Sequence, residues 1–212
     1  MKILALIPAY NEEERIGDVV KKTLKYCDVL VVDDGSMDNT GNIAKENGAF
    51  VIKHEKNKGK GDALITGFNY AIENNYDVII TLDADGQHDP SEIPKFLENI
   101  DKYDIIIGAR DFREMPFLRR LSNTITTFLL SLRTHQKIGD SQSGYRLIKT
   151  YVLKELNFKT KRFILESELL VRAKCRIGNI RVKTIYRGEK SHINNLKDTI
   201  RFIKFLIQSL LW

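Results

Sequence analysis

The sequence predicts an α/β fold, in which an open, mostly parallel sheet is flanked by helices. The first observation is a set of short, continuous apolar runs such as Ile3–Ile7, which are typical of parallel strands buried on both faces. The second is that amphipathic segments such as Ile16–Leu24 lie between these runs, with their apolar residues at helical spacing. Strands and helices in alternation indicate a parallel sheet, because parallel neighbours need a crossover connection.

The first half of the chain follows this alternation element by element. Apolar runs predict strands at Ile3–Ile7, Val29–Val32, Val51–Ile52, Val78–Leu82 and Ile105–Ile107. Amphipathic spacing predicts helices at Ile16–Leu24, Asp38–Asn47 and Asp62–Asn74. Gly48 is placed to end the second helix. Another helix opens at Asp89, because an aspartate can cap it and Pro90 suits the first helical position.

The second half of the chain is less regular. The elements expected there are helices at Phe117–Arg133 and Phe163–Ile177, a polar loop at Asp140–Arg146 and a strand at Arg181–Tyr186. No internal repeat or linker is evident. We therefore expect one domain over residues 1–195, followed by a C-terminal amphipathic helix over residues 196–212.

The composition is that of a globular protein with a basic excess. Hydrophobic residues make up 42% of the chain and charged residues 29%, which excludes a disordered or fibrous protein. The formal charge of +6 suits an anionic partner such as a nucleotide, a phospholipid surface or nucleic acid, although a solvated lysine-rich surface explains it as well. Cys27 and Cys175 show no metal-type spacing and are expected to be reduced. No signal peptide and no run of about 20 apolar residues is evident.

Polar loops follow four of the predicted strands. These loops are Pro8–Glu12, Asp33–Ser36, Asp83–His88 and Gly108–Arg110. In open α/β sheets, ligands bind just beyond the carboxyl ends of the strands. Asp and Gly are also ordinary turn formers, but four polar loops at one sheet edge favour a ligand site.

The loop Asp83-Ala84-Asp85-Gly86-Gln87 is typical of a cation site. Carboxylates two residues apart at a strand end can project to the same side, and such hard oxygen ligands suit Mg²⁺ or Mn²⁺ with further ligands from phosphates. The Asp33-Asp34 pair can bind a base or ribose, or it can cap the helix beginning near Asp38. The segment Asn57–Gly61 resembles a phosphate-cradling loop but lacks the ending of the P-loop, which disfavours ATP hydrolysis.

Seven segments, taken in order, carry a resemblance to a known family. They are Ile7–Glu12, Val31–Ser36 with Asp38 and Thr40, Asn57–Gly61 with Ala63-Leu64, Asp83–Pro90, Gly108–Arg110, Asp140 with Gln142–Arg146, and Arg187-Gly188 with Ser191. They resemble the family 2 glycosyltransferases, which have the GT-A fold with a Rossmann-like nucleotide-binding half. Within that family the sequence is most similar to the branch of dolichyl-phosphate mannose synthases and polyprenyl-phosphate glycosyltransferases, from Ile3 to about Ser191.

The resemblance implies roles for the matching residues. The nucleotide and its diphosphate would be held by Pro8, Tyr10, Glu12, Asp34, Asp83 and Ala84. The metal, Mg²⁺ or Mn²⁺, would be held by Asp83, Asp85 and Gln87. The acceptor phosphate would contact Arg110, Arg119 or Arg120, and Ser122. Arg187 would close over the donor diphosphate. His192 stands where many relatives have a lysine, so either Lys190 replaces that lysine or the closing contact is weaker.

The implied reaction transfers mannose or glucose from a GDP- or UDP-sugar to a polyprenyl or dolichyl phosphate, with inversion at the anomeric carbon. The catalytic residues would be Asp85, Asp140 and Arg187. A phosphate acceptor is already ionised at neutral pH, so a strong general base is less necessary than for a hydroxyl acceptor. Asp140 is a base or an acceptor-positioning carboxylate; its alternative role is an ion pair with Arg146.

Two segments are candidates for contact with a membrane surface. The C-terminal segment after Ile200 is largely apolar but carries Arg201 and Lys204, so it can lie in the interface or pack on the domain or on a second copy. The apolar region Phe117–Leu132, with the arginines near its start, is the other candidate. We therefore expect a cytoplasmic protein that is peripheral at the cytoplasmic face of the membrane.

Three other functions are compatible with parts of the sequence. The first is transfer to a sugar hydroxyl in polysaccharide or glycan synthesis. The second is a nucleotidyltransferase, which is expected to carry a Gly-rich basic signature where Pro8–Glu12 stands. The third is an inactive module that binds sugar nucleotides, although Asp83, Asp85, Gln87 and Arg187 are intact. No nucleic-acid-binding motif is present, so we expect no nucleic-acid partner.

Overall fold

The computed structural model describes residues 1–156, 158, 164–185 and 195–209 of the chain. The strands are β1 (Ile3–Ala9), β2 (Asp28–Asp33), β3 (Phe50–Lys53), β4 (Val78–Thr81), β5 (Ile105–Ala109), β6 (Arg146–Lys149) and β7 (Ile177–Arg181). The α-helices are α1 (Ile16–Thr23), α2 (Thr40–Glu46), α3 (Lys60–Glu73), α4 (Ile93–Leu97), α5 (Phe117–Thr134), α6 (Thr150–Lys154), α7 (Leu165–Arg172) and α8 (Asn195–Ser209). Short 3₁₀ helices precede α4 and α5, at Pro90–Glu92 and Phe112–Glu114.

The described strands form one sheet in the order β3-β2-β1-β4-β6-β5-β7. Every pairing is parallel except those of β6, which runs antiparallel to both β4 and β5. The prediction of a mostly parallel sheet flanked by helices is therefore confirmed. β6 was not predicted, because its residues were assigned to the end of a polar loop.

Both faces of the sheet are buried, as the apolar runs predicted. Along β1, Leu4 and Leu6 belong to the core on one face, whereas Ala5 and Ile7 belong to the core on the other. α3 and α7 cover the first face and α1 covers the second. Full burial of a leucine or isoleucine stabilises a fold by about 1.5–3 kcal/mol relative to exposure, so the alternation of sides along each strand defines its register.

Two predictions for the second half are wrong. The helix expected at Phe163–Ile177 ends at Arg172, because Ala173 adopts an extended backbone and Ile177 pairs with Ile105 in the sheet. The strand expected at Arg181–Tyr186 lies earlier in the chain, at Ile177–Arg181. Thr184 makes only an isolated antiparallel bridge, with His88. In both cases the pairing with β5 decides the structure, since local periodicity carries no information about a distant partner strand.

The C-terminal helix α8 packs on α5. Phe202 and Phe205 are buried in the main core, and the Arg133 guanidinium donates to the Ser209 backbone carbonyl and side-chain hydroxyl. Ile203 and Ile207 remain exposed. In the described part of the chain, no helix combines the length and the apolar character needed to cross a bilayer.

Candidate active site

The polar loops after β1, β2, β4 and β5 meet at one edge of the sheet. β2, β1 and β4 are parallel neighbours, and β5 runs parallel to β4 across the antiparallel strand β6, so the four carboxyl ends lie at the same edge. At this edge, several hydrogen bonds join the loop after β1 to the loop after β2. Asn11 N donates to Ser36 Oγ at 3.0 Å, Met37 N donates to Asn11 Oδ1 at 3.0 Å, and Glu12 N donates to Thr40 Oγ1 at 2.7 Å. Pro8 is partly exposed at the end of β1 and Tyr10 is exposed beside it.

Asp34 organises the next loop rather than capping a helix. Its carboxylate is buried and accepts hydrogen bonds from Lys58 N at 3.0 Å and Gly59 N at 2.7 Å. His54 Nδ1 lies 2.7 Å from the same carboxylate, and His54 Nε2 lies 2.9 Å from Thr66 Oγ1. Asp34 thus holds the start of α3 against the carboxyl end of β2. The close approach of the two loops requires a glycine, because a Cβ on Gly35 would lie 2.5 Å from a backbone carbon of the 54–59 loop.

The alternative role for Asp33 and Asp34, as caps of the following helix, is wrong. Asp33 accepts from Ser36 N at 2.8 Å and lies 3.3 Å from Lys53 Nζ. The N–H at the start of α2 is satisfied instead by Asp38, whose carboxylate accepts from Thr40 N at 3.0 Å.

Asp83 lies just beyond the carboxyl end of β4 and forms an ion pair with Lys60. Lys60 Nζ lies 2.6 Å from Asp83 Oδ1 and 3.5 Å from Glu166 Oε1. Burial alone would raise the pKa of Asp83, but the Lys60 ammonium holds it well below its usual range. His88 lies beside this pair as a neutral imidazole, because burial lowers its pKa to about 4. Its Nδ1 accepts from Asp83 N at 3.0 Å, and its Nε2 lies 3.7 Å from Asp83 Oδ2.

Asp85 and Gln87 form a second unit of the same loop. The two oxygens of Asp85 accept from Gln87 N and Gln87 Nε2, each at 2.9 Å. Both carboxylates of the Asp-x-Asp segment are only half-buried. Between them, Ala84 is buried and packs into the core on the α1 side of the sheet. The segment therefore presents its two carboxylates at the edge of the sheet while Ala84 anchors it.

The donor set fits a divalent cation that takes the rest of its ligands from a substrate. Two carboxylates and an amide oxygen are hard ligands of the kind that Mg²⁺ and Mn²⁺ prefer. Within the described ranges, no group of three His, Cys, Asp or Glu side chains is arranged to hold a metal ion. Asp83 and Asp85, with the Gln87 amide, would hold such an ion, and phosphate oxygens would supply further ligands.

Asp140 is the centre of a second, fully buried cluster. Its carboxylate accepts a bidentate pair of hydrogen bonds from Arg110, from Nε at 2.7 Å and from Nη2 at 3.0 Å. Asn123 Nδ2 and Gln142 N complete the shell, at 2.9 Å and 3.1 Å. Burial would raise the pKa of Asp140, but the Arg110 guanidinium lowers it. The alternative ion pair with Arg146 is wrong, because that guanidinium donates to backbone carbonyls of the 141–143 loop and of α7.

The remaining predicted acceptor residues lie in the first turns of α5. Arg119 is partly exposed, and its Nε is buried without a hydrogen-bond partner among the residues that the structure describes. The Arg120 guanidinium is exposed and lies 5.7 Å from the centre of the Phe117 ring. Ser122 is partly exposed on the next turn. Arg187, Lys190 and His192 lie outside the described residues.

The two clusters are in contact through a glycine. A Cβ on Gly144 would lie 2.7 Å from Lys60 Nζ and 3.0 Å from Asp83 Oδ2, so a larger residue here would push the ammonium or the carboxylate aside. The loop that begins at Asp140 therefore lies directly on the Asp83 cluster. The acidic edge of the sheet and the buried Asp140 cluster are thus adjacent.

Sequence reasoning assigned no role to several residues of the site. Lys60 and Gly144 stood within the recognised segments, and their glycine-rich context was the available signal. His54, Asn123 and Glu166 had no such signal, since each reaches the site only through tertiary contacts.

An open α/β sheet with acidic loops at the carboxyl ends of its parallel strands defines a class of nucleotide-binding protein. The model of the family "Glycosyl transferase family 2" matches residues 5–157 of the chain. The chain therefore belongs to glycosyltransferase family 2, as its motifs predicted, and it is a glycosyltransferase.

Relatives and solved structures agree with this membership. The UDP-N-acetylglucosamine–dolichyl-phosphate N-acetylglucosaminyltransferase of Methanococcus voltae is 38% identical over 87% of this chain and 86% of its own length. The polyprenol monophosphomannose synthase of Mycolicibacterium smegmatis is 31% identical over 81% of this chain and 72% of its own length.

The glucosyl-3-phosphoglycerate synthase of Mycobacterium tuberculosis, in complex with Mn²⁺, UDP and glucosyl-3-phosphoglycerate, superimposes with a TM-score of 0.72. That superposition covers 99% of this chain and 78% of the other at 20% identity. Together with the family match, it confirms the predicted GT-A fold.

Proposed function

We propose that the protein transfers a sugar from a nucleoside-diphosphate donor to a polyprenyl or dolichyl phosphate, with inversion and with the help of Mg²⁺ or Mn²⁺. The observation that carries the proposal is the contact of the two clusters through Gly144. It brings Asp83, a proposed ligand of the cation, next to the loop whose Asp140 holds Arg110. The names of the Methanococcus voltae and Mycolicibacterium smegmatis relatives, both lipid-phosphate glycosyltransferases, support the acceptor.

The donor side of the site provides negative charge and oxygen ligands. Asp83 and Asp85, with the Gln87 amide, would hold the cation, and Tyr10, Glu12 and the Asp34 loop would hold the nucleoside. A cation bound there would neutralise the charge that develops on the departing diphosphate. Asp85 is the proposed catalytic residue of this side, because its carboxylate stands at the exposed edge of the sheet.

The acceptor side provides fixed positive charge. Arg110 is locked by Asp140, and the buried Nε of Arg119 has no hydrogen-bond partner in the described part of the chain. Basic residues in a first helical turn oppose the helix dipole, but the same turn favours a bound anion. A phosphate there is already largely ionised near neutral pH. Asp140, whose pKa is lowered, is suited to orient Arg110 and is a poor proton acceptor.

An assay of product class tests this function. The purified protein is incubated with Mn²⁺, a polyprenyl phosphate and one donor at a time: GDP-mannose, UDP-glucose or UDP-N-acetylglucosamine. We expect one donor to yield a glycosylated lipid phosphate in the organic extract, identified by its mass, and the resemblance favours mannose or glucose. A product formed only on a sugar hydroxyl, in the aqueous phase, would instead establish the alternative acceptor. The variant Asp85→Asn measures the background level of product formation.

We also propose that α5 and α8 rest on the membrane that carries the acceptor. Five large apolar side chains of α5 are exposed at helical spacing, namely Phe117, Leu121, Ile125, Phe128 and Leu132. Ile203 and Ile207 of the packed helix α8 are exposed as well. Arg113 and Arg120 are exposed at the start of the same region, so an interface with anionic headgroups suits both the apolar and the basic residues.

Sedimentation with vesicles tests the membrane surface. Phe128 is 61% exposed, so Phe128→Glu should leave the fold intact while weakening binding to vesicles that contain anionic lipid. Phe50→Glu makes the same change at a phenylalanine of β3 that is 51% exposed and lies outside α5 and α8, and it is the matched control. Equal loss of vesicle binding in both variants would show that the effect is not specific to α5 and would contradict the proposed membrane surface.

A further inference from the structure

Lys60 forms an ion pair with Asp83, one of the two carboxylates of the proposed cation site. Its ammonium lies 2.6 Å from Asp83 Oδ1. A lysine in this position competes with a divalent cation for the same oxygen, because both are positive charges that seek the carboxylate. Any cation that binds Asp83 must therefore either accept a like charge within a few ångströms or displace the ammonium.

A second carboxylate, that of Glu166, lies within reach of the displaced ammonium. Glu166, in the first turn of α7, places Oε1 3.5 Å from Lys60 Nζ. This oxygen is buried and accepts no hydrogen bond in the described part of the chain. Burial would lower the pKa of Lys60, but Asp83 and then Glu166 raise it, so the ammonium is charged between the two carboxylates.

The geometry allows the side chain to move while the backbone stays in place. Lys60 is the first residue of α3, and the preceding N–H groups of Lys58 and Gly59 are held by Asp34. The ammonium is carried on a flexible four-carbon stem. Asp83 is 31% exposed and Glu166 only 13% exposed, so the first partner faces incoming ligands and the second lies deeper.

We propose that Lys60 is an exchangeable counter-ion: it pairs with Asp83 while the donor site is empty and shifts to Glu166 when a divalent cation binds Asp83. This inference rests on the proposed cation site. Its consequence is an order of binding. The cation alone has to displace the ammonium and binds weakly, whereas a cation that carries a nucleoside diphosphate brings negative charge that compensates for Lys60. Cation and nucleotide therefore enter together.

Direct measurement of Mn²⁺ binding tests the exchange, with the electron paramagnetic resonance signal of free Mn²⁺ as the readout. Without nucleotide, Lys60→Met should bind Mn²⁺ about tenfold more tightly than the unmodified chain, since the competing charge is gone. Glu166→Gln should bind Mn²⁺ about threefold more weakly, because the ammonium has lost its second partner. Lys58→Met removes an exposed lysine of the same loop and should change nothing.

The double variant separates exchange from a direct effect of Glu166. If Glu166 acts through Lys60, adding Glu166→Gln to Lys60→Met should have little further effect on Mn²⁺ binding. An equal loss in both backgrounds would mean that Glu166 acts on the cation itself and would overturn the exchange. Weaker or unchanged Mn²⁺ binding in Lys60→Met would overturn it as well. Thermal unfolding checks that each variant folds, and Lys60→Gln replaces Lys60→Met if the latter does not.

Adding nucleotide distinguishes failure of this inference from failure of the proposed function. With saturating UDP or GDP, the unmodified chain should bind Mn²⁺ tightly, and the advantage of Lys60→Met should shrink. If the unmodified chain binds no Mn²⁺ with either nucleotide, the cation site itself is refuted. If it binds Mn²⁺ with nucleotide and Lys60→Met behaves identically throughout, only the counter-ion exchange is refuted.

Discussion

The proposed donor side and the proposed acceptor side of the site hold their carboxylates in opposite ways. Asp83 is partly exposed and shares one flexible lysine with Glu166. Asp140 is fully buried and receives a rigid bidentate pair from Arg110, with Asn123 and Gln142 completing its shell. A carboxylate at an open edge can exchange its partner for a ligand, whereas a buried carboxylate with five donors is part of the framework. Removing one charge at a time tests this difference.

The largest effect on stability is expected at Asp140. Asp140→Asn leaves the buried Arg110 guanidinium without its counter-charge, and breaking a buried pair in this way costs about 3–5 kcal/mol of unfolding free energy. Urea unfolding measures the loss. Asp111→Asn, which removes the exposed pair with Arg113, is the matched control and should change stability far less. Similar losses in the two variants would contradict a structural role for the buried pair.

The largest effect on activity is expected at Asp85. Asp85→Asn removes a proposed ligand of the cation and should lower turnover by about a hundredfold or more, since a cation supplies several kcal/mol of transition-state stabilisation. Unfolding free energy should stay within about 0.5 kcal/mol, because the carboxylate is half-exposed. Addition of EDTA to the unmodified protein should reproduce the loss. Full activity of Asp85→Asn in the presence of EDTA would refute the proposed role of the divalent cation.

A smaller and more selective effect is expected at the start of α5. Arg119→Ala combined with Arg120→Ala removes two positive charges from the proposed acceptor side. The KM for the lipid acceptor should rise about tenfold, which corresponds to about 1.4 kcal/mol, while the KM for the donor changes little. Steady-state kinetics with each substrate varied in turn measures both constants. An equal rise in the two KM values would show that these arginines do not act selectively on the acceptor.

The smallest effect on stability is expected at Asp104, which links the start of β5 to the start of β7. Hydrogen bonds from Arg176, and then from Lys149, hold the pKa of Asp104 well below its usual range although burial opposes this. A carboxyl group whose pKa is lower in the folded state stabilises the fold at pH values above its unfolded-state pKa, which is near 3.9. This stabilisation is lost as the pH falls from there through the folded-state pKa.

Asp104→Asn should therefore cost about 1 kcal/mol at neutral pH, because Arg176 is mostly exposed and solvent screens the pair. The difference from the unmodified protein should shrink between pH 5 and pH 2 in urea unfolding. A difference that is independent of pH would show that the charge of Asp104 does not contribute.

The same contrast between the two halves appears in what the sequence predicts. The parallel strands β1 to β4 and their helices were predicted closely, because each is a local pattern that ends at a local signal. The Asp83–Gln87 loop was predicted for the same reason, since it follows a buried strand directly. In the second half, Asp140 was located but not its partner: Arg146 is near in sequence, whereas Arg110 reaches Asp140 only through the pairing of β5 with β6.

The family, the α/β architecture and the residues that line the edge of the sheet could all be predicted from the sequence. Those properties follow from hydrophobic periodicity and from short motifs, which are encoded within a few residues of each other. The antiparallel direction of β6, the end of α7 at Arg172 and the position of Lys60 between Asp83 and Glu166 became evident only in the folded protein. Each of these depends on groups far apart in the chain, and their contacts exist only once the sheet has formed.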